Sequence, residues 1–520
     1  MQRILSRMAL QRMQMHTRSR SLPSFQQALP DLREVIEKGR TQCGVPGMGV
    51  AVLHKGELVF AEGFGKRNAQ EPFTSETLAP IGSLTKAFTA TAIGELVAEG
   101  KMDWNKTPVN TFLPDFELKH PTLTSQLTLV DLLSHRTGLR TDIDVSWYKS
   151  TASRRNLIKR LKHVEMNPKL GSKTVYNNIM YAVAGEAAAE VEGIPYEKVV
   201  ETKVLEPLGL TNTGFSPMEM KKRTNYAMPL SAASWDDAQN GVFAMGSLDE
   251  IYMVRAPAGD MFSNVLDMVR WGKVVMDHGR LDGKQILNEA SVQETLQPYT
   301  IMDGVEPKSE FGPAVTYGLG WSLGVFKGQT FYTHGGSTSG FMSNIDIFPD
   351  ADLVIVVLSN TNSSSLINCL PLYIAEKLLD LPTTQDWISD LAVKGTKAIY
   401  DIRETALGWD HLPKRIPDKP AAQTLQAYEG TYTHPVLGEI TVRVEADSSS
   451  TTTTPTTKEM DALFANLGPF DSKLEHYHFD SFVVTLNDVD VKLTDLITFR
   501  TGNDGSVVGL HTMGEEFTRL

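Results

Sequence analysis

The side chains of Ala87, Phe88, Ala90, Ala92, Ile93, Leu96 and Val97 cover most of the circumference of the helix predicted over IGSLTKAFTATAIGELV, Ile81 to Val97. A helix that is apolar all round cannot lie on a surface, so the rest of the chain must wrap it on every side. That requires a large, layered domain. With 520 residues, 41% hydrophobic and 22% charged, the chain can build such a core and a second domain besides. Against this apolar background, Ser83 stands at the helix start and Lys86 one turn later, where burial makes a charge expensive.

The flanking sequence predicts the layers. GMGVAVLHKGELVFAEGFG, Gly47 to Gly65, reads as a β-hairpin turning at His54 to Glu57. Mostly helix and loop follow to about residue 300, with Thr128 and Asp131 spaced as a capping box ahead of the turn LVDLLSH. Strands return in YGLGWSLGVF, QTFYTHGG, GFMSNIDIFP and DLVIVVLSN. The order predicts an α+β domain over 31–385, an antiparallel sheet flanked by helices plus a helical subdomain. A linker is expected over 386–422, where PKRIPDKPAA carries Pro413, Pro417 and Pro420. Alternating strands over 423–520 predict a small all-β barrel or sandwich. Within it DSSSTTTTPTTK, residues 447–458, is low complexity and reads as a disordered insert.

Composition excludes several classes of function. A net charge of −12 repels polyanions and argues against nucleic acid as partner. Cys43 and Cys369 are the only cysteines, too few for a disulfide framework and without zinc spacing. The longest apolar run, LVIVVL, has strand length, so no membrane span is expected. Residues 1–30 carry Arg3, Arg7, Arg12, Arg18 and Arg20 with no acid before Asp31, which is the composition of a transit peptide or of a basic tail. Both a mitochondrial and a cytoplasmic location fit, and homo-oligomerisation is left open.

The chemistry begins with Ser83 and Lys86. At i and i+3 on a helix their side chains share a face. The free N–H groups of the helix N-terminus favour developing negative charge, and a lysine in an apolar wall has a lowered pKa and can take the serine proton. Downstream, Tyr176, Asn177 and Asn178 enter the helix of YNNIMYAVAGEAAAEVEG. A tyrosine beside a lysine is a candidate base, and an asparagine two residues on can hold a substrate amide. In YTHGGSTSGF, His334 is a candidate donor to a carboxylate or leaving group, and Gly335 and Gly336 would let a substrate lie along the strand. His135 and Arg136 read as loop braces. His476 and His478 share a strand face but lack a third ligand for a metal.

Ser-x-x-Lys, Tyr-x-Asn and His-x-Gly in this order resemble the penicillin-recognising serine hydrolases, the superfamily of class C β-lactamases, D-Ala-D-Ala carboxypeptidases, D-aminopeptidases and related esterases. DLLSHRTGL, VLEPLGLTNTGF, PAGDMFSNVLDMVRWG and YGLGW extend the resemblance over about residues 35–365. The segments after Leu370 and Tyr428 are similar to the appended C-terminal domain of D-amino-acid peptidase-like members, a lipocalin-like barrel.

The resemblance implies roles. Ser83 would be the acylated nucleophile, Lys86 its proton relay and Tyr176 the general base and later acid. Asn178 would position the substrate amide, with the N–H groups of Ser83 and Ser337 as oxyanion hole and His334 and Gly336 in the third motif. The implied enzyme is a hydrolase of amide or ester bonds in small peptides, D-amino acid derivatives or acylated metabolites, with no cofactor and no metal. His334-Gly335-Gly336 replaces the Lys-Thr-Gly usual in β-lactamases, which points away from penicillin turnover and toward peptidase, amidase or esterase chemistry. The alternative is a catalytically silent scaffold of the same fold.

Overall fold

The structure is a computed structural model and describes residues 25–520 except 142, 145–146, 148–151, 167–173, 249–254, 303–309, 313, 408, 410, 447–460, 469 and 488–491. The insert expected over 447–458 and the first 24 residues of the expected tail lie outside the described residues. The remainder of that tail opens a helix, α1 (Phe25–Gln42).

The central layer is an eight-stranded sheet. Its strands are β1 (Gly47–His54), β2 (Glu57–Gly65), β3 (Thr300–Ile301), β4 (Thr316–Tyr317), β5 (Ser322–Phe326), β6 (Gln329–Thr338), β7 (Phe341–Phe348) and β8 (Leu353–Ser359), in the order β3-β4-β5-β6-β7-β8-β1-β2. Neighbours are antiparallel throughout. The N-terminal hairpin joins the returning strands through β1 and β8, with Val50 opposite Val357 and Val52 opposite Ile355. Every residue of β8 is buried. Val354, Val356 and Leu358 enter one core, while Leu353, Ile355 and Val357 enter the other, so LVIVVL is a strand covered on both faces.

The apolar helix of the sequence is α2 (Thr85–Ala98), and nearly all of it is buried. Around it stand α4 (Asn178–Glu192), α5 (Ala256–Gly259) and α6 (Val265–Met276), with α3 (Leu129–Leu133) packed on α4. Helix α6 seats α2 against the sheet, and Phe88 stacks on Trp271 with ring centres 4.2 Å apart. At the start of α3, the Thr128 N–H donates to Asp131 Oδ2 at 2.8 Å, as the spacing predicts. The other sheet face is covered by α1 and α7 (Leu366–Leu378).

The segment read as a linker is helical in its first half. Helix α8 (Val393–Leu407) follows a turn in which Trp387 is buried, and Thr396 accepts the Ser365 N–H at 3.1 Å. The helix-breaking prolines begin only at Pro413, which is why the composition of 413–422 said nothing about what precedes it.

The C-terminal strands β9 (Gly430–His434), β10 (Gly438–Ala446), β11 (Asp461–Leu467), β12 (Phe470–His478), β13 (Ser481–Asn487), β14 (Lys492–Thr501), β15 (Val507–Thr512) and β16 (Glu515–Arg519) form a closed eight-stranded barrel. Its interior is packed with side chains: Tyr428 and Phe499 have ring centres 4.5 Å apart, and Phe482 lies 5.7 Å from Phe499. On β12, His476 and His478 turn to backbone groups, at Phe479 O and the Ile416 N–H. Among the described residues, no helix is long and apolar enough to cross a membrane.

Candidate active site

Ser83 lies on the tight turn Gly82–Leu84 that leads into α2. The turn is held from three sides. The Thr85 hydroxyl donates to Gly82 O at 2.7 Å, the Ile81 N–H donates to Met261 O at 2.8 Å, and the Ser343 hydroxyl donates to Ile81 O at 2.7 Å. Gly82 has φ +52°, and a Cβ there would stand 2.7 Å from Ser337 N, so only glycine lets the turn press against β6. That approach brings Ser83 and the backbone of Ser337 together.

Lys86 is fully buried. Its Nζ donates to Ser83 Oγ at 3.0 Å, Asn178 Oδ1 at 2.7 Å and Ala258 O at 2.8 Å. Burial brings its ammonium down to about 7, opposed by Asp144 and helped by Arg255. An amine that has lost one proton keeps Asn178 and Ala258 as acceptors and turns its lone pair to the Ser83 hydroxyl. Asn178 lines the cleft, and its Nδ2 donates to Asp144 Oδ2 at 2.6 Å, linking Asp144 to the lysine.

The Tyr176 ring lies over the same group, its centre 4.7 Å from Lys86 Nζ. Tyr176 is one-third exposed, and the desolvation of its hydroxyl against the site raises the phenol above its ordinary value, while the hydrogen bond with Ser83 pulls the other way. The phenol is therefore protonated at neutral pH.

His334 departs from expectation. Strand alternation buries its ring, where Nδ1 donates to Gly335 O at 2.6 Å and Nε2 accepts from the Tyr317 phenol at 2.9 Å. Burial, with the Lys86 charge adding to it, lowers it to about 3. It is a neutral brace rather than a donor to substrate. Gly336 is likewise buried, and a Cβ on it would lie 2.0 Å from Ile81 O, so glycine is required there by the nucleophile turn.

The cleft over Ser83 has a volume of about 870 Å³. Asn178, Asp260 and Ser337 line its floor, and Leu493, Met513 and Glu515 of the barrel line its far wall. Arg140 spans the two, with Nη1 2.6 Å from Glu515 Oε1. Burial lifts the Asp260 carboxyl to about 6. Asp144, Tyr317 and the Ala258 carbonyl belong to this cluster, and the sequence did not single them out. Tyr317 stood in a quoted motif, YGLGW, without a role, whereas nothing in TDID or in a backbone carbonyl signals its use.

A buried helix presenting a serine and a lysine beneath an antiparallel sheet, with a tyrosine from the helical subdomain opposite, is the β-lactamase/transpeptidase class of fold. The family model described as Beta-lactamase matches residues 32–372, and the chain belongs to that family. Residues 414–519 match a domain of unknown function, DUF3471. The unguisins hydrolase ungD' of Aspergillus campestris (strain IBT 28561) is 27% identical over 437 residues, 79% of this chain and 77% of that protein. A β-lactamase of Pseudomonas fluorescens is 25% identical over 64% of this chain and 94% of its own. Among solved structures, the octameric penicillin-binding protein homologue from Pyrococcus abyssi superposes with a TM-score of 0.58 at 21% identity, covering 94% of this chain and 100% of that one. The chain is thus of the serine hydrolase type in fold and family.

Proposed function

We propose that the protein hydrolyses amide or ester bonds of small peptides, D-amino acid derivatives or acylated metabolites through an acyl-serine intermediate on Ser83. The observation that carries this reading is Lys86 Nζ at 3.0 Å from Ser83 Oγ, with Asn178 and Ala258 as its other partners. Lys86 as free amine takes the Ser83 proton while Oγ attacks the substrate carbonyl. The N–H groups of Ser83 and Ser337 receive the oxyanion. Tyr176, protonated, gives its proton to the leaving amine or alcohol and regains one from Lys86. A water then attacks the ester, passing a proton to the same pair, and Ser83 recovers its hydrogen.

The raised phenol and the lowered amine favour Lys86 over Tyr176 as the resting base. The neutral His334 supports substrates other than penicillins, because no fixed cation is supplied by the third motif. The relative named as a hydrolase of unguisins supports hydrolysis.

Intact mass after incubation with a penicillin, an activated thioester and D- and L-amino acid p-nitroanilides tests the reading. An adduct on wild type that is missing from Ser83→Ala is expected. No adduct and no turnover on any of them would overturn it.

A further inference from the structure

We propose that His135 is a positioning residue for Tyr176, an inference that rests on the acyl-serine reading of the site. His135 holds the peptide on both sides of that tyrosine. Its carbonyl accepts the Val175 N–H at 2.8 Å, and its ring Nδ1 accepts the Asn177 N–H at 3.1 Å. Between these two anchors, the imidazole lies against the Tyr176 ring with centres 4.2 Å apart. One residue therefore fixes the tyrosine's backbone fore and aft and its ring from the side.

The geometry continues past Tyr176. Asn177 caps α4, its Oδ1 accepting the Met180 N–H at 2.9 Å, so the anchor at Asn177 also sets where α4 begins. Asn178, the first residue of that helix, holds Lys86. Tyr181 returns the tie, its hydroxyl donating to Leu133 O at 2.6 Å. The segment of His135 and the start of α4 are stitched together around the reacting groups.

Two features separate this from a histidine that merely closes a loop. His135 adopts φ +59°, a left-handed conformation taken by only a few per cent of non-glycine residues, and histidine, like asparagine and aspartate, is one of the types that tolerate it. It is fully buried, yet among the described residues its Nε2 has no hydrogen-bond partner, and the ring is surrounded by those of Tyr176, Tyr181 and Tyr317. Accepting at Nδ1 requires the neutral ring, and burial, with the charge of Lys86, keeps it so. The residue is held in an uncommon conformation and a dry place, in contact with the tyrosine.

A double-mutant cycle on p-nitrophenyl ester hydrolysis tests this, with kcat expressed per site titrated by Ser83 adduct formation. His135→Ala is expected to lower kcat about 100-fold with KM nearly unchanged, the loss that an ångström of misplacement brings. His135→Asn, which tolerates the left-handed backbone and offers an amide oxygen to the Asn177 N–H, is expected to recover about tenfold of that loss. In a Tyr176→Phe background both substitutions should cost at least tenfold less than in the wild type, because the group they chiefly position is gone and only their effect on the start of α4 is left. If His135→Ala does not fold, the His135→Asn arm of the cycle decides. Equal losses in the wild-type and Tyr176→Phe backgrounds, or an unchanged kcat per titrated site with only a lower Tm, would overturn the positioning role. A wild type that never acylates overturns the acyl-serine reading itself, and the positioning role with it.

Discussion

The carbonyl oxygen of Ile81 lies 2.0 Å from where a Cβ on Gly336 would stand. Two segments far apart in sequence, the nucleophile turn and β6, thereby touch through backbone alone. Gly336→Ala must push β6 away from Ser83, so acyl-enzyme formation should fall by about 100-fold while the protein still folds. Gly335→Ala is the control: its Cβ meets no atom closer than 3.8 Å and should leave the rate within a few-fold. Burst kinetics on an activated ester compare the two.

Lys86→Ala should slow acylation by about 100- to 10,000-fold, the usual contribution of base-assisted proton transfer. The amine accepts a proton only when neutral, so wild-type acylation should rise with pH through about 7, the value to which burial lowers Lys86. The rise should be absent from the residual activity of Lys86→Ala. A flat wild-type profile between pH 5.5 and 8.5 would remove Lys86 as the base.

Asp346 gives a stability test away from the chemistry. Its buried carboxyl accepts from the Thr333 hydroxyl at 2.6 Å and Asn344 Nδ2 at 2.7 Å, and burial pushes it up to about 7. The folded state then holds a proton that the unfolded chain has lost, so this group's contribution is present at low pH and disappears as pH rises to about 7. Asp346→Asn, permanently neutral, should gain on wild type between pH 5 and 8 by roughly 2–4 °C in Tm. Thermal melts at the two pH values read the difference.

Arg140 and Glu515 join the barrel to the catalytic domain across the cleft. The pair is partly exposed, so Arg140→Ala should cost about 1 kcal/mol of stability or less. Its effect should fall on substrate size: kcat/KM for longer acyl or peptidyl groups should rise relative to short ones. A size preference unchanged in Arg140→Ala would detach the barrel from selection.

Much of this arrangement was legible because it rests on periodicity. The all-apolar face of α2 required a central helix, and the i, i+3 spacing of Ser83 and Lys86 put the two groups within hydrogen-bond reach. The alternation after Tyr428 led to a barrel. What escaped depends on register and on backbone. Which way the His334 ring turns is set by the pairing of β4 with β5 and of β5 with β6, which together bring Tyr317 to its Nε2. The partner of Asn178 proved to be a lysine 92 positions earlier, and the third partner of Lys86 is a main-chain oxygen. Gly336 carried a correct residue type for a further reason: it yields to Ile81.

Because Leu493, Met513 and Glu515 build the far wall of the cleft, that one wall is encoded in a different stretch of chain from the cluster around Ser83. Hairpins of the barrel can change length or charge without touching the groups around Ser83. Such a division would let the outer wall of the cleft vary from one relative to the next while the cluster beneath it stays as it is.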